Sequence, residues 1–265
     1  MVNDSPALKA ADVGFAMGDG TEVAKEAGDV VILDNSLKSI MVSVLNARTM
    51  AKSISKFLIF QLTVNISTIL MSLVSPLLGV TLPFSIVQIL WINLIMDTLA
   101  ALAFGGEPVL ERYMKEKPVS RDAKILTPYI KSAIATNSIF ITVVGLAILK
   151  NAFGILDFVA ADTTDVTTYH KTFMFAFFIY AIIFNSLNTR SERFNLFEHI
   201  GQNKRFIYVM SAIFVMQTVL IYVGGALFGT VPISLKALLT AMVLALLIIP
   251  VDMIRKAIYI KVANK

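Results

Sequence analysis

The sequence contains no cysteine among its 265 residues, which excludes disulfide bonds and thiolate metal sites but leaves the compartment open. Charged residues are also scarce, at 15%, whereas soluble domains contain about 25%. Hydrophobic residues make up 57% of the chain, and the mean hydropathy is +0.76. This composition predicts a membrane protein rather than a water-soluble enzyme, a disordered chain or a nucleic-acid-binding protein. The net charge of +5 is then typical of basic cytoplasmic loops.

Long apolar runs begin after residue 56. Six stretches are long enough to cross about 30 Å of hydrocarbon as helices. They are residues 57–78, 83–104, 128–149, 172–187, 206–228 and 235–254, of which the fourth is the shortest. The predicted fold class is therefore mainly α, a polytopic bundle of six membrane helices in contact with lipid.

The first 56 residues differ from the rest, with 7 acidic and 6 basic side chains and neither a long apolar run nor a signal peptide. Short β-type runs at 13–17 and 29–33 alternate with helical patterns at 5–11 and 21–27. This order is typical of the end of an α/β domain. Because two short strands do not form a stable parallel sheet alone, we expect this segment either to pack on sequence that precedes it in a longer protein or to be poorly ordered.

The loop charges predict the orientation of the spans. Thirteen Lys and Arg residues follow spans two, four and six, whereas the opposite loops contain Lys171 and Lys236, with Lys150 at a boundary. Cytoplasmic loops carry the excess of basic residues, so we expect both termini to be cytoplasmic. The loop 151–171 then faces outside, and we interpret its three aspartates as solvated.

One carboxylate interrupts the apolar sequence. Between residues 57 and 106, Asp97 is the only acidic or basic residue. An aspartate near the centre of a membrane helix costs about 2.5 to 3.5 kcal/mol on insertion scales, so it requires a partner or a function. Asn93 lies four residues earlier, which is the same face of an α-helix.

The preceding span carries polar residues at a similar depth. Asp97 lies roughly 10 Å from the cytoplasmic end of its span and Asn65 roughly 12 Å, at the helical rise of 1.5 Å per residue. Gln61 and Thr68 lie on adjacent turns. These oxygen-bearing side chains suit a hard cation such as Ca²⁺, which takes 6 to 8 oxygen ligands, so the site would be incomplete on this chain. The alternative is that the amides form interhelical hydrogen bonds and Asp97 is a packing residue.

Other polar residues in the spans are interpreted as structural. We expect Gln217, Asn185 and Asn188 to be packing or capping residues. Asp252, near the end of span six, is expected to extend toward the membrane interface beside Arg255 and Lys256.

A resemblance to P-type ATPases begins at residues 2–14, which read V-N-D-S-P-A-L-K-A-A-D-V-G and match the second half of the family's hinge motif. The segments A-M-G at 16–18 and G-T-E-V-A-K at 20–25 continue the pattern. Residues 90–100, L-W-I-N-L-I-M-D-T-L-A, resemble the sixth membrane helix of calcium pumps, especially the plasma-membrane type. The resemblance covers essentially the whole chain, with long motifs in the expected order.

The resemblance implies the C-terminal part of a pump that couples ATP hydrolysis, through a phosphorylated aspartate, to Ca²⁺ export across the plasma membrane. Residues 1–35 would be the C-terminal remnant of a HAD-like phosphorylation domain. Residues 36–56 would be a stalk helix acting as a rigid lever or a plain connector, and 57–265 the transmembrane domain. Asn93 and Asp97 would bind the transported Ca²⁺, with Asn65 as a secondary contact.

Two departures from the family pattern limit what the resemblance implies. Two-site calcium pumps carry glutamates where this chain has Thr68 and Ile182, which implies one Ca²⁺ per cycle. The phosphorylation motif D-K-T-G-T, the dephosphorylation motif T-G-E and the nucleotide-binding K-G-A are absent from the 265 residues. Asn3 and Asp4 would contact the phosphate and Mg²⁺ environment of the hinge motif, but ATP and Mg²⁺ would lie mostly on the missing N-terminal part of the pump. We therefore expect this chain alone to be inactive as an ATPase.

Two alternatives remain open from the sequence. The chain could be a truncated or split membrane subunit that serves as a scaffold without transport. It could also belong to a pump for another cation, such as Mn²⁺, H⁺ or Na⁺, because amide and carboxylate oxygens also suit Mn²⁺.

Overall fold

The structure is a computed structural model that describes residues 4–120, 123–152, 154 and 165–263. It divides into two compact units. The first comprises Met1–Lys52 and Pro108–Ile125, and the second comprises Ser53–Glu107 and Leu126–Lys265.

The first unit contains a two-stranded parallel sheet. Strands Phe15–Met17 and Val30–Ile32 pair with Phe15 opposite Val30. Helix Ser5–Ala10 precedes the first strand, and helix Glu22–Ala27 connects the two strands. The predicted order of helix, strand, helix and strand is present, with strands shorter than the runs 13–17 and 29–33.

Gly14 allows a close backbone approach in this unit. A Cβ atom at Gly14 would lie 2.6 Å from the carbonyl oxygen of Leu8, a distance that no side chain tolerates. The amide of Gly14 donates to Asp29 Oδ2 at 2.8 Å, and its carbonyl accepts from the amide of Asp29 at 2.8 Å. The glycine therefore lets helix Ser5–Ala10 lie close to the strand entry.

A second contact in the first unit joins the long helix Leu37–Leu77 to the segment after span two. Arg48 Nη1 donates to the carbonyl oxygens of Tyr113 and Glu116 at 2.6 and 2.8 Å. Lys52 Nζ lies 3.2 Å from the Glu116 carboxylate. These bonds hold the short 3₁₀ helix Glu111–Lys115 against the long helix.

Six helices of the described residues are long and apolar enough to cross a membrane, so the predicted fold class is confirmed. They are named spans one to six in chain order. The spans are Leu37–Leu77, Ile86–Phe104, Pro128–Leu149, Val166–Arg190, Lys204–Val223 and Leu235–Val262.

Span four forms the centre of the second unit. Its most apolar window is 89% buried, against 44% or less for the other spans. Phe173, Phe177 and Tyr180 are among its fully buried side chains. The helix extends beyond the apolar residues 172–187 at both ends. Its polar C-terminal end, at Asn188, Thr189 and Arg190, is buried, whereas its first turn begins at the exposed Val166.

Span six consists of two helices, Leu235–Leu246 and Ile248–Ala263. The interruption at Leu247 has a local cause. Pro250 has no amide hydrogen to donate to the carbonyl of Leu246, and its ring crowds the preceding turn.

The prediction for Asp252 in span six is wrong. Asp252 is 1% exposed, so its carboxylate lies inside the protein instead of extending outward. Its Oδ1 lies 2.6 Å from Arg255 Nε and accepts a bond of 3.1 Å from Asn137 Nδ2, and its Oδ2 lies 3.1 Å from Lys256 Nζ. Lys256 also donates to the carbonyls of Asn188 and Ser191, at the end of span four. The carboxylate stays inside because two cations and an amide satisfy it there.

A second buried ionic cluster surrounds Glu107, just after span two. Glu107 pairs with Lys56 of span one at 2.6 Å and with Arg190 of span four at 2.9 Å. Asn203, which caps span five, donates to Glu107 at 3.0 Å. All three charged side chains are at most 7% exposed. One carboxylate therefore connects four spans at one end of the bundle.

Candidate cation site

Span two changes its helical geometry in the middle. An α-helix, Ile86–Leu90, begins at a capping box formed by Ser85 and Gln88. It continues as a π-helix, Trp91–Met96, and then as a second α-helix, Asp97–Phe104. π-helical turns are rare and occur frequently at functional sites. Of the polar residues that the sequence singles out, Asn93 lies in this turn and Asp97 directly follows it.

Asp97 is the first residue after the π-helical turn. It is only 9% exposed. One of its carboxylate oxygens, Oδ2, accepts a hydrogen bond of 2.6 Å from Gln61 Nε2 on span one. The structure therefore joins spans one and two through a glutamine and an aspartate.

Two oxygen atoms beside this bond are left without a partner. Asp97 Oδ1 and Gln61 Oε1 are both buried, and neither has a hydrogen-bond partner among the residues that the structure describes. Buried polar atoms are normally satisfied, so unpaired acceptors deserve an explanation. Two such acceptors on one hydrogen-bonded pair can receive a cation.

Neither asparagine is hydrogen-bonded to Asp97 in the part of the chain that the structure describes. Asn93 is exposed and Asn65 is half-buried. Hydrogen bonds from residue i to i+5 make the π-helical turn wider than an α-helical turn. Asn93 lies within this turn and Asp97 follows it, so the spacing of an ideal α-helix does not describe their relative placement. Thr68 is buried and donates to the carbonyl of Val64 at 2.9 Å.

The candidate metal ligands are oxygen atoms, and the carboxylate of Asp97 is the only charged group among them. No group of three or more His, Cys, Asp or Glu that could hold a metal occurs among the described residues. A hard cation that prefers 6 to 8 oxygens would need further ligands besides those of Gln61, Asn65, Asn93 and Asp97.

The hinge-motif residues Asn3 and Asp4 provide no comparable candidate site among the described residues. Asn3 lies outside the described residues. Asp4 is exposed, precedes helix Ser5–Ala10 and forms no side-chain capping bond. A single exposed carboxylate does not make a site for Mg²⁺ or for a nucleotide, so the described part of the chain does not fit these groups.

Gln61 is the site residue that the sequence did not assign. It lies four residues before Asn65, on the adjacent turn of the same helix. The sequence shows this amide, but only the packing of spans one and two shows that Gln61, and not Asn65, is hydrogen-bonded to Asp97.

Comparison with known proteins gives matches along most of the chain. Residues 81–258 match a family model described as cation transporting ATPase, C-terminus. The chain is 37% identical to calcium-transporting ATPase 4, plasma membrane-type, of Arabidopsis thaliana, over 97% of this chain and 25% of that relative. It is 36% identical to the plasma membrane calcium-transporting ATPase mca-1 of Caenorhabditis elegans, over 91% of this chain and 20% of the relative.

A vertebrate relative gives the same result. The chain is 37% identical to plasma membrane calcium-transporting ATPase 1 of Gallus gallus, over 88% of this chain and 20% of the relative. The chain thus spans a quarter or less of the length of these three relatives.

Proposed function

The chain belongs to the family of cation-transporting ATPase C-terminal regions, and from this premise we propose that it is the C-terminal membrane portion of a pump that exports Ca²⁺ across the plasma membrane. One observation supports the ion site above all others. Asp97, the only carboxylate between residues 57 and 106, is buried in the bundle with an unpaired oxygen. In our proposal this carboxylate provides the charge that attracts the divalent ion.

We propose distinct roles for the neighbouring residues. Asn93, exposed on span two, contributes an amide oxygen to the same ion, and Asn65 is a secondary contact. The remaining ligands come from other segments of the pump. Thr68 and Ile182 offer no carboxylate, which supports one Ca²⁺ per cycle.

We also propose a division of labour along the chain. Residues 1–35 belong to the phosphorylation domain, residues 36–56 serve as the stalk, and residues 57–265 form the membrane domain with both termini cytoplasmic. The rest of the pump is the partner, and it provides the phosphorylated aspartate together with most of the ATP and Mg²⁺ sites. Asn3 and Asp4 approach the phosphate only in that context.

A chimeric pump tests the proposal. The chain replaces the matching quarter of the Arabidopsis relative, and uptake of radioactive Ca²⁺ is measured in inside-out membrane vesicles supplied with ATP. We expect ATP-dependent uptake by the chimeric pump and none by its Asp97→Asn variant at equal protein level. A chimera that transports Mn²⁺ or H⁺ but not Ca²⁺ would contradict the proposed ion.

A further inference from the structure

Gln61 carries the strongest feature that the proposed function does not use. Its amide nitrogen donates to Asp97 Oδ2 at 2.6 Å, across the interface between spans one and two. A charge-assisted bond of this length holds the carboxylate in one orientation.

The oxygen atom of the same amide accepts no hydrogen bond from the described residues. Gln61 Oε1 and Asp97 Oδ1 are buried, and both are without a partner among the described residues. The geometry explains this pairing: a carboxylate that is bonded through Oδ2 leaves Oδ1 available, and an amide that is bonded through Nε2 leaves Oε1 available.

We infer that Gln61 is a further residue of the cation site, positioning Asp97 through its amide nitrogen and offering its amide oxygen to the ion. This inference rests on the proposed function, which it deepens by naming a residue on span one that decides affinity. The bond to Nε2 also partly compensates the buried charge while no cation is bound, so the site does not depend on a bound ion to keep its carboxylate in the bundle.

Calcium affinity separates this role from simple packing. Gln61→Leu keeps a side chain of similar size but removes the donor and the oxygen, and Gln61→Glu keeps an oxygen. Loss of a group that orients a metal ligand typically lowers metal affinity about 10- to 100-fold. We expect Gln61→Leu to raise the Ca²⁺ concentration for half-maximal uptake by that factor, with the maximal rate largely kept, and Gln61→Glu to lie closer to the unmutated protein.

The experiment uses the chimeric pump and a matched control. Gln217 of span five is fully buried, and Gln217→Leu makes the same chemical change on a helix that has no hydrogen bond to Asp97 among the described residues. This control should leave the half-maximal Ca²⁺ concentration unchanged. An unchanged half-maximal concentration in Gln61→Leu would overturn the role of Gln61 and leave the pump function standing. Equal losses in the Leu and Glu variants would overturn the contact assigned to its amide oxygen. An unmutated chimera without Ca²⁺ uptake would instead overturn the proposed function and this inference together.

Discussion

Lys56 Nζ lies 2.6 Å from Glu107 Oε2, and the two side chains are 7% and 5% exposed. The pair joins span one to the end of span two. Arg190 shares the same carboxylate, so a single acid balances two buried bases. Such a cluster makes its carboxylate far more sensitive to substitution than a surface acid.

Glu107→Gln should therefore destabilise the protein. The amide keeps the shape but leaves Lys56 and Arg190 buried without a counter-charge, which costs about 3 to 5 kcal/mol. Thermal unfolding of the purified protein, followed by the fluorescence of its single tryptophan, Trp91, measures the loss. Glu22→Gln is the control, because Glu22 is 82% exposed and its pair with Lys25 contributes little. Equal melting temperatures for the two variants would contradict a structural role for Glu107.

Lys256→Met should weaken the attachment of span six to span four. Lys256 donates to the carbonyls of Asn188 and Ser191 at 2.8 and 2.7 Å, and the variant leaves both carbonyls without this donor. We expect a loss of about 1 to 3 kcal/mol in unfolding free energy. Lys261→Met, at an exposed position of the same helix, should change it by less than about 0.5 kcal/mol. Comparable losses in both variants would show that the charge, and not its buried bonds, matters.

The cation-site variants should follow an order in the chimeric pump. Asp97→Asn should abolish Ca²⁺-dependent phosphorylation, because an amide cannot replace the charge. Asn93→Ala should weaken Ca²⁺ binding by removing one oxygen, Asn65→Ala should do less, and Thr68→Ala should be mild. Radiolabelled phosphate incorporation at increasing Ca²⁺ concentration measures all four. Wild-type Ca²⁺ affinity in Asp97→Asn would show that Asp97 is a packing residue and that the cation site lies elsewhere.

Membrane topology can be tested with introduced thiols, since the chain has no cysteine of its own. Ala226 and Lys117 are both exposed and precede span six and span three respectively. With both termini in the cytoplasm, Ala226→Cys should react with an impermeant thiol reagent added outside intact cells, and Lys117→Cys should react only after permeabilisation. The reverse labelling pattern would overturn the proposed orientation.

Asp34 predicts a pH dependence at the start of the long helix. Ser39 Oγ donates to its carboxylate at 2.6 Å, and the amide of Ser36 donates at 3.2 Å, which together lower the pKa of Asp34. Because the folded pKa lies below the unfolded one, the stabilisation is present above the unfolded pKa and is lost as the pH falls through the folded pKa. Ser39→Ala should therefore speed amide hydrogen exchange near Leu37 at neutral pH but not below the folded pKa of Asp34. An equal effect at both pH values would exclude the carboxylate.

The lengths of the apolar runs predicted the bounds of the helices well where lipid or loops determine the helix ends. Pro128–Leu149 has the predicted bounds because Thr127 caps its start and Lys150 follows its end. Span four was underestimated at its C-terminal end because this last turn is polar yet enclosed by protein, a fact that depends on its neighbours. Asp252 was misplaced for the same reason, since its partner Asn137 lies 115 residues away in the sequence.

The cation site was predictable only in part. An isolated aspartate in an apolar span was a strong signal for Asp97. The contact with Gln61 was not predictable, because the π-helical turn Trp91–Met96 rotates span two relative to an ideal α-helix. A helical pattern with a constant period therefore cannot show which side chain of span one faces the carboxylate.

The enclosure of span four also bears on how the protein is made. Span four is the least apolar of the six spans and the most completely surrounded by the others. A helix that gains little from lipid enters the bilayer poorly by itself, and the buried C-terminal end of span four finds its partners at Glu107, just after span two, and at Lys256 on span six. During synthesis, span four should therefore wait at the translocation channel until spans five and six emerge, and ribosome-bound chains that end before residue 204 should leave it incompletely inserted.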